Sequence, residues 1–187
     1  MKRLSMLYLL LLTTLLASAQ TRIKSFDFGY YLNLMRYGAK GLTLDDYKKK
    51  ATDLGLNLIH HSEEKSELYL VWGQDVNYKK ERITESYSRT GEQPRCVNMD
   101  LTPNGKNRYA PICITLVFPD QTAQQRFWND GLKLGCRKNE QIEQTDLDAT
   151  WTQVQGLKYI DNPKTQTSWR YIYFYEKDGL YLSTFLF

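Results

Sequence analysis

Apolar residues form one long run near the N-terminus of this chain and, after it, short groups spaced by two or by three to four residues. A spacing of two predicts β-strands, and a spacing of three to four predicts amphipathic helices. The clearest strand pattern is at the C-terminus, where residues 169–176 and 180–187 flank Lys177-Asp178-Gly179. Asp-Gly favours a two-residue hairpin turn because both turn residues need a positive φ. This turn places Tyr175, Tyr173 and Tyr171 opposite Leu182, Thr184 and Leu186.

Residues 43–54 predict a helix. Thr43 can serve as its N-cap, with Asp46 three residues later in a capping-box position. Apolar residues at steps of three and four give this helix one buried face, and Gly55 is suited to end it. The face consists of Leu44, Tyr47, Ala51 and Leu54.

A similar pattern recurs about 80 residues later. Thr122 and Gln125 fit a second capping box, and Gly135 is suited to end the helix. Both segments, residues 43–73 and 122–160, continue into predicted antiparallel strands, so an internal pseudo-repeat is a hypothesis that the sequence supports. The apolar face of the second helix is expected to contain Ala123, Phe127 and Leu134.

The remaining pattern is mostly that of short strands. Residues 61–65 predict a polar turn and residues 100–111, which contain two prolines, predict a loop. We expect an α+β fold in which at least two helices pack on an antiparallel sheet of about seven to nine strands. Besides the hairpin, strands are expected at Phe26 to Tyr30, Leu56 to His60, Glu67 to Trp72, 77–88, Arg95 to Met99, Ile112 to Phe118 and Val154 to Ile160.

The long apolar run is typical of a secretory signal peptide. Met1-Lys2-Arg3 is basic, Met6 to Ala17 is largely apolar, and Ala17-Ser18-Ala19 matches a small-residue cleavage pattern. We expect cleavage after Ala19, which leaves one globular domain over residues 20–187 in the periplasm or outside the cell. The run is shorter than the roughly 20 residues that span a bilayer, and the mature chain has no second such run, so no transmembrane segment is expected.

Charge and composition restrict the choice of partners. The formal net charge is +4, and the signal peptide accounts for two of these charges, so the mature chain is near +2, too little to predict nucleic-acid binding. Lysine clusters at residues 48–50 and 79–80 fit a solvated surface or an anionic partner such as a lipid headgroup. The 14 Tyr, 7 Phe and 4 Trp favour strands, buried cores or binding surfaces.

Reactive side chains offer little support for catalysis or metal binding. His60 and His61 precede two glutamates, but adjacent residues of a strand point to opposite faces, so we predict no metal site there. Motifs of serine hydrolases, zinc proteases, P-loop proteins and Rossmann enzymes are missing from the sequence, and no cofactor is expected. Outside the cytoplasm two interpretations of the cysteines stay open: one disulfide, with three pairings among Cys96, Cys113 and Cys136, or small buried apolar residues.

The C-terminal hairpin carries the one surface that the sequence singles out as a ligand-binding site. Trp169, Tyr171, Tyr173 and Tyr175 lie at two-residue intervals and therefore share one face of their strand. Such a row of rings can stack on sugars or accept a peptide strand. Packing of the same rings beneath the helices is the structural alternative. The other face of the hairpin is apolar too, so either both faces are covered or one binds a ligand.

Paired helix-plus-antiparallel-sheet segments in a secreted chain of this size resemble, in architecture only, the β-lactamase-inhibitory proteins. That resemblance implies two pairs of cysteines, whereas this chain has three cysteines in total. The function we expect is that of a secreted or periplasmic, non-enzymatic binding module of the cell envelope, with a protein or a glycan as ligand. Two alternatives remain open: a hydrolase of an envelope polymer with a catalytic pair drawn from scattered residues, and a protein that docks on a membrane surface.

Overall fold

The computed structural model describes residues 26–64, 67–73, 96–140, 152–160 and 169–186. These ranges contain three α-helices and eight β-strands. The helices are α1 (Phe28–Gly38), α2 (Leu44–Asp53) and α3 (Gln121–Lys133). The strands are β1 (Asn57–Glu64), β2 (Glu67–Gly73), β3 (Cys96–Pro103), β4 (Tyr109–Phe118), β5 (Arg137–Lys138), β6 (Thr152–Ile160), β7 (Trp169–Lys177) and β8 (Leu180–Leu186).

All eight strands belong to one antiparallel sheet, in the order β1-β2-β3-β4-β8-β7-β6-β5. Each of two groups, β1 to β4 and β5 to β8, follows a helix, and their last strands pair at the centre of the sheet. The predicted packing of helices on an antiparallel sheet is therefore confirmed, although strands predominate and the α+β class describes the fold only loosely. A duplication as the origin of the two groups stays a prediction.

Helix α2 begins and ends where the sequence predicts. The Asp46 backbone N–H donates to Thr43 Oγ1 at 3.2 Å, and the Thr43 N–H donates to Asp46 Oδ2 at 2.9 Å, which completes the capping box. At the other end Gly55 has a φ of +72°, and the backbone hydrogen bonds of a Schellman motif close the helix. Tyr47 and Ala51 lie fully buried on its apolar face.

The N-terminal aromatic segment is a helix, so the strand predicted from Phe26, Phe28 and Tyr30 is wrong. Asp27 Oδ1 accepts a hydrogen bond from the Tyr30 N–H at 3.0 Å, as an N-terminal helix cap does. Three alternating residues are too short a window to outweigh the three-to-four spacing that continues along the segment. That spacing defines the buried face of α1, which consists of Phe28, Tyr31, Leu32 and Met35.

Helix α3 starts earlier than predicted because Asp120, not Thr122, caps it. Asp120 Oδ1 accepts a hydrogen bond from the Ala123 N–H at 2.8 Å, and the Asp120 backbone is extended. Thr122 is an exposed residue of the first turn. The predicted capping box with Gln125 is therefore not formed, since an aspartate two residues upstream already takes the orphan N–H groups.

Close packing on the sheet leaves room only for glycine at one position of α3. A Cβ atom at Gly131 would lie 2.6 Å from Leu157 Cδ1 and 2.6 Å from Phe28 Cε2. Gly135, with a φ of +90°, ends the helix as predicted. Leu134 was expected on the apolar face but is 56% exposed, because it is the C-cap residue, where the chain turns out of the helix.

The helices cover one face of the sheet, and the main core lies between them and that face. One buried polar side chain also ties α3 to the C-terminal hairpin, since Gln124 Nε2 donates to the Tyr175 carbonyl at 3.0 Å and to the Leu182 carbonyl at 2.7 Å. These bonds satisfy a buried amide and fix the helix over β7 and β8. Fully buried residues of this core include Phe28, Tyr31, Tyr47, Leu70, Trp72, Met99, Phe127, Ile172, Phe174 and Phe185.

Several strands extend beyond their predicted limits. β1 continues through residues 61–64, predicted as a turn, and β3 and β4 take in most of the loop predicted over residues 100–111. Pro111 fits within β4 because the register shifts there and a bulge forms opposite Leu101. Proline is tolerated at such positions since no ladder hydrogen bond from its nitrogen is needed.

The C-terminal hairpin is confirmed in its turn and its register. Asp178 and Gly179 have φ values of +49° and +78°, as the predicted two-residue turn requires. Tyr175, Tyr173 and Tyr171 pair with Leu182, Thr184 and Leu186. The predicted signal peptide (1–19) and the strand predicted over residues 77–88 lie outside the described residues.

Candidate functional site

The four aromatic residues singled out by the sequence lie along one side of β7. Tyr171 and Tyr173 stack with ring planes 7° apart and centroids 6.1 Å apart, and Tyr173 and Tyr175 follow at 6.4 Å. The three tyrosines belong to a cluster that contains no residue of α1, α2 or α3. We call the side of the sheet that bears this cluster the open face only because the described helices all pack on the opposite side, since the inner residues of the cluster are buried.

Exposure divides these four residues into two pairs. Tyr173 is 0% exposed and Tyr175 is 2% exposed, whereas Trp169 and Tyr171 are half-buried. Only the outer pair therefore offers ring surface to a ligand. The inner pair supports it, since a fully packed ring beneath Tyr171 restricts the rotamers that Tyr171 can adopt.

A line of accessible side chains crosses the open face at the level of Tyr171. Each residue of this line is paired directly with the next residue on the neighbouring strand, so all their side chains lie on one face of the sheet. The line crosses seven strands and is therefore about 30 Å long at the usual spacing of about 4.8 Å between strands. Each member is half-buried or exposed, and we call this line the transverse row: Tyr69, Asp100, Cys113, Leu186, Tyr171, Lys158 and Arg137.

The basic end of the transverse row meets the outer aromatic pair. Lys158 Nζ lies 5.3 Å from the centroid of the Trp169 ring, and Arg137 Cζ lies 5.7 Å from the same centroid. Cations at such distances interact favourably with the quadrupole of an indole. Together with Tyr171, these side chains form what we call the basic–aromatic corner: Arg137, Lys158, Trp169 and Tyr171.

The end of α3 places Arg137 in this corner. The Gly135 N–H donates to the Leu132 carbonyl at 3.0 Å and the Cys136 N–H donates to the Gly131 carbonyl at 3.0 Å, which is a Schellman motif. The motif reverses the chain onto the edge of the sheet, where Arg137 pairs with Lys158. No sequence pattern indicates these two cations as site residues, because only the register of β5, β6 and β7 brings them to Trp169.

The cysteines do not form the disulfide left open by the sequence. Cys113 and Cys136 have reduced thiols, and each of the three possible pairings includes one of them. Cys113 lies in the transverse row, whereas Cys136 is packed in the core on the helix side. A disulfide needs Cα atoms within about 7 Å, which opposite sides of the sheet at distant strands do not provide. Burial raises the pKa of the Cys136 thiol to about 11, with Arg36 opposing the shift.

The two histidines are consecutive residues of β1, where His60 pairs with Val71 and His61 pairs with Leu70. Within the described ranges, no group of three or more His, Cys, Asp or Glu residues could hold a metal ion.

A hollow of about 500 Å³ opens beside the turn of the C-terminal hairpin. Two carboxylates, those of Glu176 and Asp178, line it together with Thr152, Lys177 and Tyr181. Carboxylates two residues apart at a strand end are one arrangement from which general acid–base chemistry can be built. The hollow is separate from the basic–aromatic corner, which lies toward the start of β7.

Comparisons with known proteins give no identity. No protein-family model, no curated protein and no solved structure matches the chain. The architectural resemblance to the β-lactamase-inhibitory proteins thus receives no support from them and carries no argument here. Across the part of the chain that the structure describes, no helix has the length and apolar character needed to cross a bilayer.

Proposed function

We propose that this chain is a secreted or periplasmic binding module that recognises a glycan or a protein through the basic–aromatic corner. The observation that carries the proposal is the half-exposed pair Trp169 and Tyr171 on the open face, backed by the buried rings of Tyr173 and Tyr175. Large rings held in place by packing supply contact area at little entropic cost, which is typical of recognition sites.

The proposed site is smaller than the four-residue face predicted from the sequence. Tyr173 and Tyr175 are buried and act as its support, and Arg137 and Lys158 are added to it because of their contacts with Trp169. Recognition then combines a stacking surface with two cations. Neither feature needs a catalytic group, so a binding role is the simplest use of the corner.

The test is binding of the mature chain to a glycan array and to a soluble envelope extract, with Trp169→Ala and Tyr171→Ala as site variants. Trp128→Ala is the matched control, because Trp128 is a half-buried aromatic residue that packs on the helix side of the sheet. We expect each site variant to weaken binding by about tenfold, the loss of one aromatic contact of about 1–2 kcal/mol. Equal binding by parent and site variants, with thermal melts showing all proteins folded, would contradict the proposal.

A hydrolase of an envelope polymer is the second candidate, and the hollow lined by Glu176 and Asp178 is the observation that favours it. A general acid or base contributes about 100-fold or more to rate, so Glu176→Gln or Asp178→Asn should reduce release of reducing ends by that factor. Asn also tolerates the positive φ of Asp178, which keeps the turn intact. If the parent releases no reducing ends from any envelope polymer supplied, this candidate is dropped.

A further inference from the structure

Among the described residues, no acid forms an ion pair with the two cations of the basic–aromatic corner. Arg137 and Lys158 are cross-strand partners that contact the same indole ring. Among the described residues, the side-chain ion pairs Lys48–Asp45 and Lys133–Asp130 lie on helices α2 and α3, and neither involves these two cations. Like charges directly opposite each other on a sheet are destabilising, so the indole offsets only part of an unfavourable arrangement.

More positive charge lies at the same end of the sheet, on its other side. Arg36 Cζ lies 5.2 Å from the ring centroid of Tyr159, and its Nη2 donates to the Ile160 carbonyl at 3.3 Å. Lys138 Nζ lies 5.3 Å from the ring centroid of Trp128. Arg137 and Lys138 are consecutive residues, so charge on the two sides of the sheet acts together within a Debye length of about 8–10 Å, and Glu140 is the described acid nearest to them in sequence.

The direction of the transverse row indicates what kind of anion fits. The row crosses the strands, and the backbone groups of the interior strands beneath it are already paired with each other. A peptide that binds as an added strand needs a free strand edge, and the row reaches one only at its basic end, where the described edge strand β5 is two residues long. Recognition here must use side chains, namely aromatic rings for the faces of sugar rings and cations for acidic groups.

We propose that the ligand is an acidic glycan polymer that lies along the transverse row, with its carboxylate or sulfate groups beside Arg137 and Lys158 and a sugar ring against Tyr171. This inference rests on the proposed binding function and names its ligand class. Asp100, the acid of the row, lies on β3, about 19 Å from Lys158 at the usual strand spacing, so it leaves the basic end attractive to anions.

Two pairs of polymers test the charge requirement, each pair differing only in the acidic group: polygalacturonate with its methyl ester, and dextran sulfate with dextran. Binding of the mature chain is measured by calorimetry at about 50 mM and about 500 mM NaCl, since exposed charge pairs are screened by salt. We expect at least one acidic polymer to bind about tenfold tighter than its neutral counterpart, and this difference to shrink at high salt.

The variants are Arg137→Gln with Lys158→Gln, and, as control, Lys48→Gln with Lys49→Gln. Both double variants remove two positive charges, but the control lysines are exposed residues of α2, a helix that contributes nothing to the corner. We expect about tenfold weaker binding of the acidic polymer in the first variant and a change within about twofold in the second. An equal loss in both would assign binding to net charge and overturn the proposal.

Other outcomes separate this inference from the proposed function. Equal binding of neutral and acidic polymers, lost in Trp169→Ala, would overturn the acidic ligand and leave the binding function standing. Preferential binding of poly-glutamate, or of vesicles containing phosphatidylglycerol, would overturn the glycan in favour of an acidic protein or a membrane. Absence of binding to all these probes would overturn the acidic glycan, and absence of binding on the array and in the extract as well would overturn both.

Discussion

Substitution of Gly131 by alanine separates two opposing expectations. From helix propensity alone, alanine in the interior of α3 should stabilise the protein by about 1 kcal/mol. In the structure the new methyl group would lie 2.6 Å from Leu157 Cδ1 and 2.6 Å from Phe28 Cε2, far inside van der Waals contact. Leu157 is 0% exposed and Phe28 is 1% exposed, so neither neighbour can move into solvent.

The clash should outweigh the propensity gain. Overpacking a closed core costs about 1–3 kcal/mol, and a contact with two rigidly packed groups belongs in the upper half of that range. After subtraction of the propensity gain, we expect Gly131→Ala to lower the free energy of unfolding by about 1–2 kcal/mol. For a domain of this size that corresponds to a fall in Tm of about 2–8 °C.

Gly29→Ala is the matched control. Gly29 is also helical, but a Cβ there would lie 3.3 Å from Asp27 Oδ1 and 3.4 Å from Leu134 Cδ1, and Leu134 is exposed. Leu134 can give way, and Asp27 Oδ1 needs to shift by only a few tenths of an ångström while it keeps its capping bond to the Tyr30 N–H, so this substitution should change the free energy of unfolding by no more than about 1 kcal/mol.

Urea and thermal melts, followed by far-ultraviolet circular dichroism and by tryptophan fluorescence, measure both variants. Coincident transitions by the two probes establish the two-state behaviour that the comparison needs. A second measurement introduces Leu157→Ala into the parent and into the Gly131→Ala protein. In the parent it should lower the free energy of unfolding by about 2–5 kcal/mol, and in the Gly131→Ala protein by about 1 kcal/mol less, because the shortened side chain makes room for the new methyl group. The reasoning would be refuted by a Gly131→Ala protein at least as stable as the parent, or by strictly additive effects.

Three further outcomes are expected. Asp120→Ala should lower the free energy of unfolding by about 1 kcal/mol, whereas Thr122→Ala should change it by less than about 0.5 kcal/mol, and urea melts that reverse this order would contradict the observed cap. Hydrogen bonds from the backbone N–H and then the side chain of Thr43 lower the pKa of Asp46 below its usual value of 3.8. The ionised Asp46 carboxylate therefore stabilises the fold above that pH, and this contribution is lost as the pH falls through the lowered pKa. The stability difference between the parent and Asp46→Asn should therefore vanish in acid, which melts across pH can check. Iodoacetamide at neutral pH should modify Cys113 well before Cys136, which is buried and has a pKa near 11; mass spectrometry of the digested protein measures both rates.

Local patterns predicted those elements whose ends are set by side-chain chemistry close in sequence. The capping box of α2 needs only Thr43 and Asp46, and the hairpin turn needs only Asp178 and Gly179. Once that turn was assigned, the pairing of β7 with β8 followed residue by residue, because register is determined by turn length.

Errors arose where a distant contact decided the outcome. A short aromatic alternation predicted a strand at Phe28, whose side chain instead packs against Phe127 of α3 with ring centroids 4.9 Å apart. Leu134 is an exception, because the error there is local: the apolar spacing includes this residue, but the chain leaves the helix at it. Pro111 indicated a loop, but a bulge against β3 admits it to a strand.

The candidate site was predicted in part for the same reason. Alternation along β7 correctly placed four aromatic side chains on one side of the strand, but it could not tell which rings would be buried. Arg137 and Lys158 are neighbours of Trp169 only across strands, and a single sequence carries no signal for such pairing. The contacts of these two cations with the Trp169 ring become clear only when the register of β5, β6 and β7 is known.

The central pairing of β4 with β8 has a consequence for how this sheet assembles. Neighbouring strands within each group are mostly close in sequence, but the central ladder joins residues as far apart as Cys113 and Leu186. Contacts between distant residues form slowly because a long loop must be closed before they bring any gain. The two groups should therefore form first and meet last along β4 and β8, so substitutions in that ladder should accelerate unfolding far more than they slow refolding.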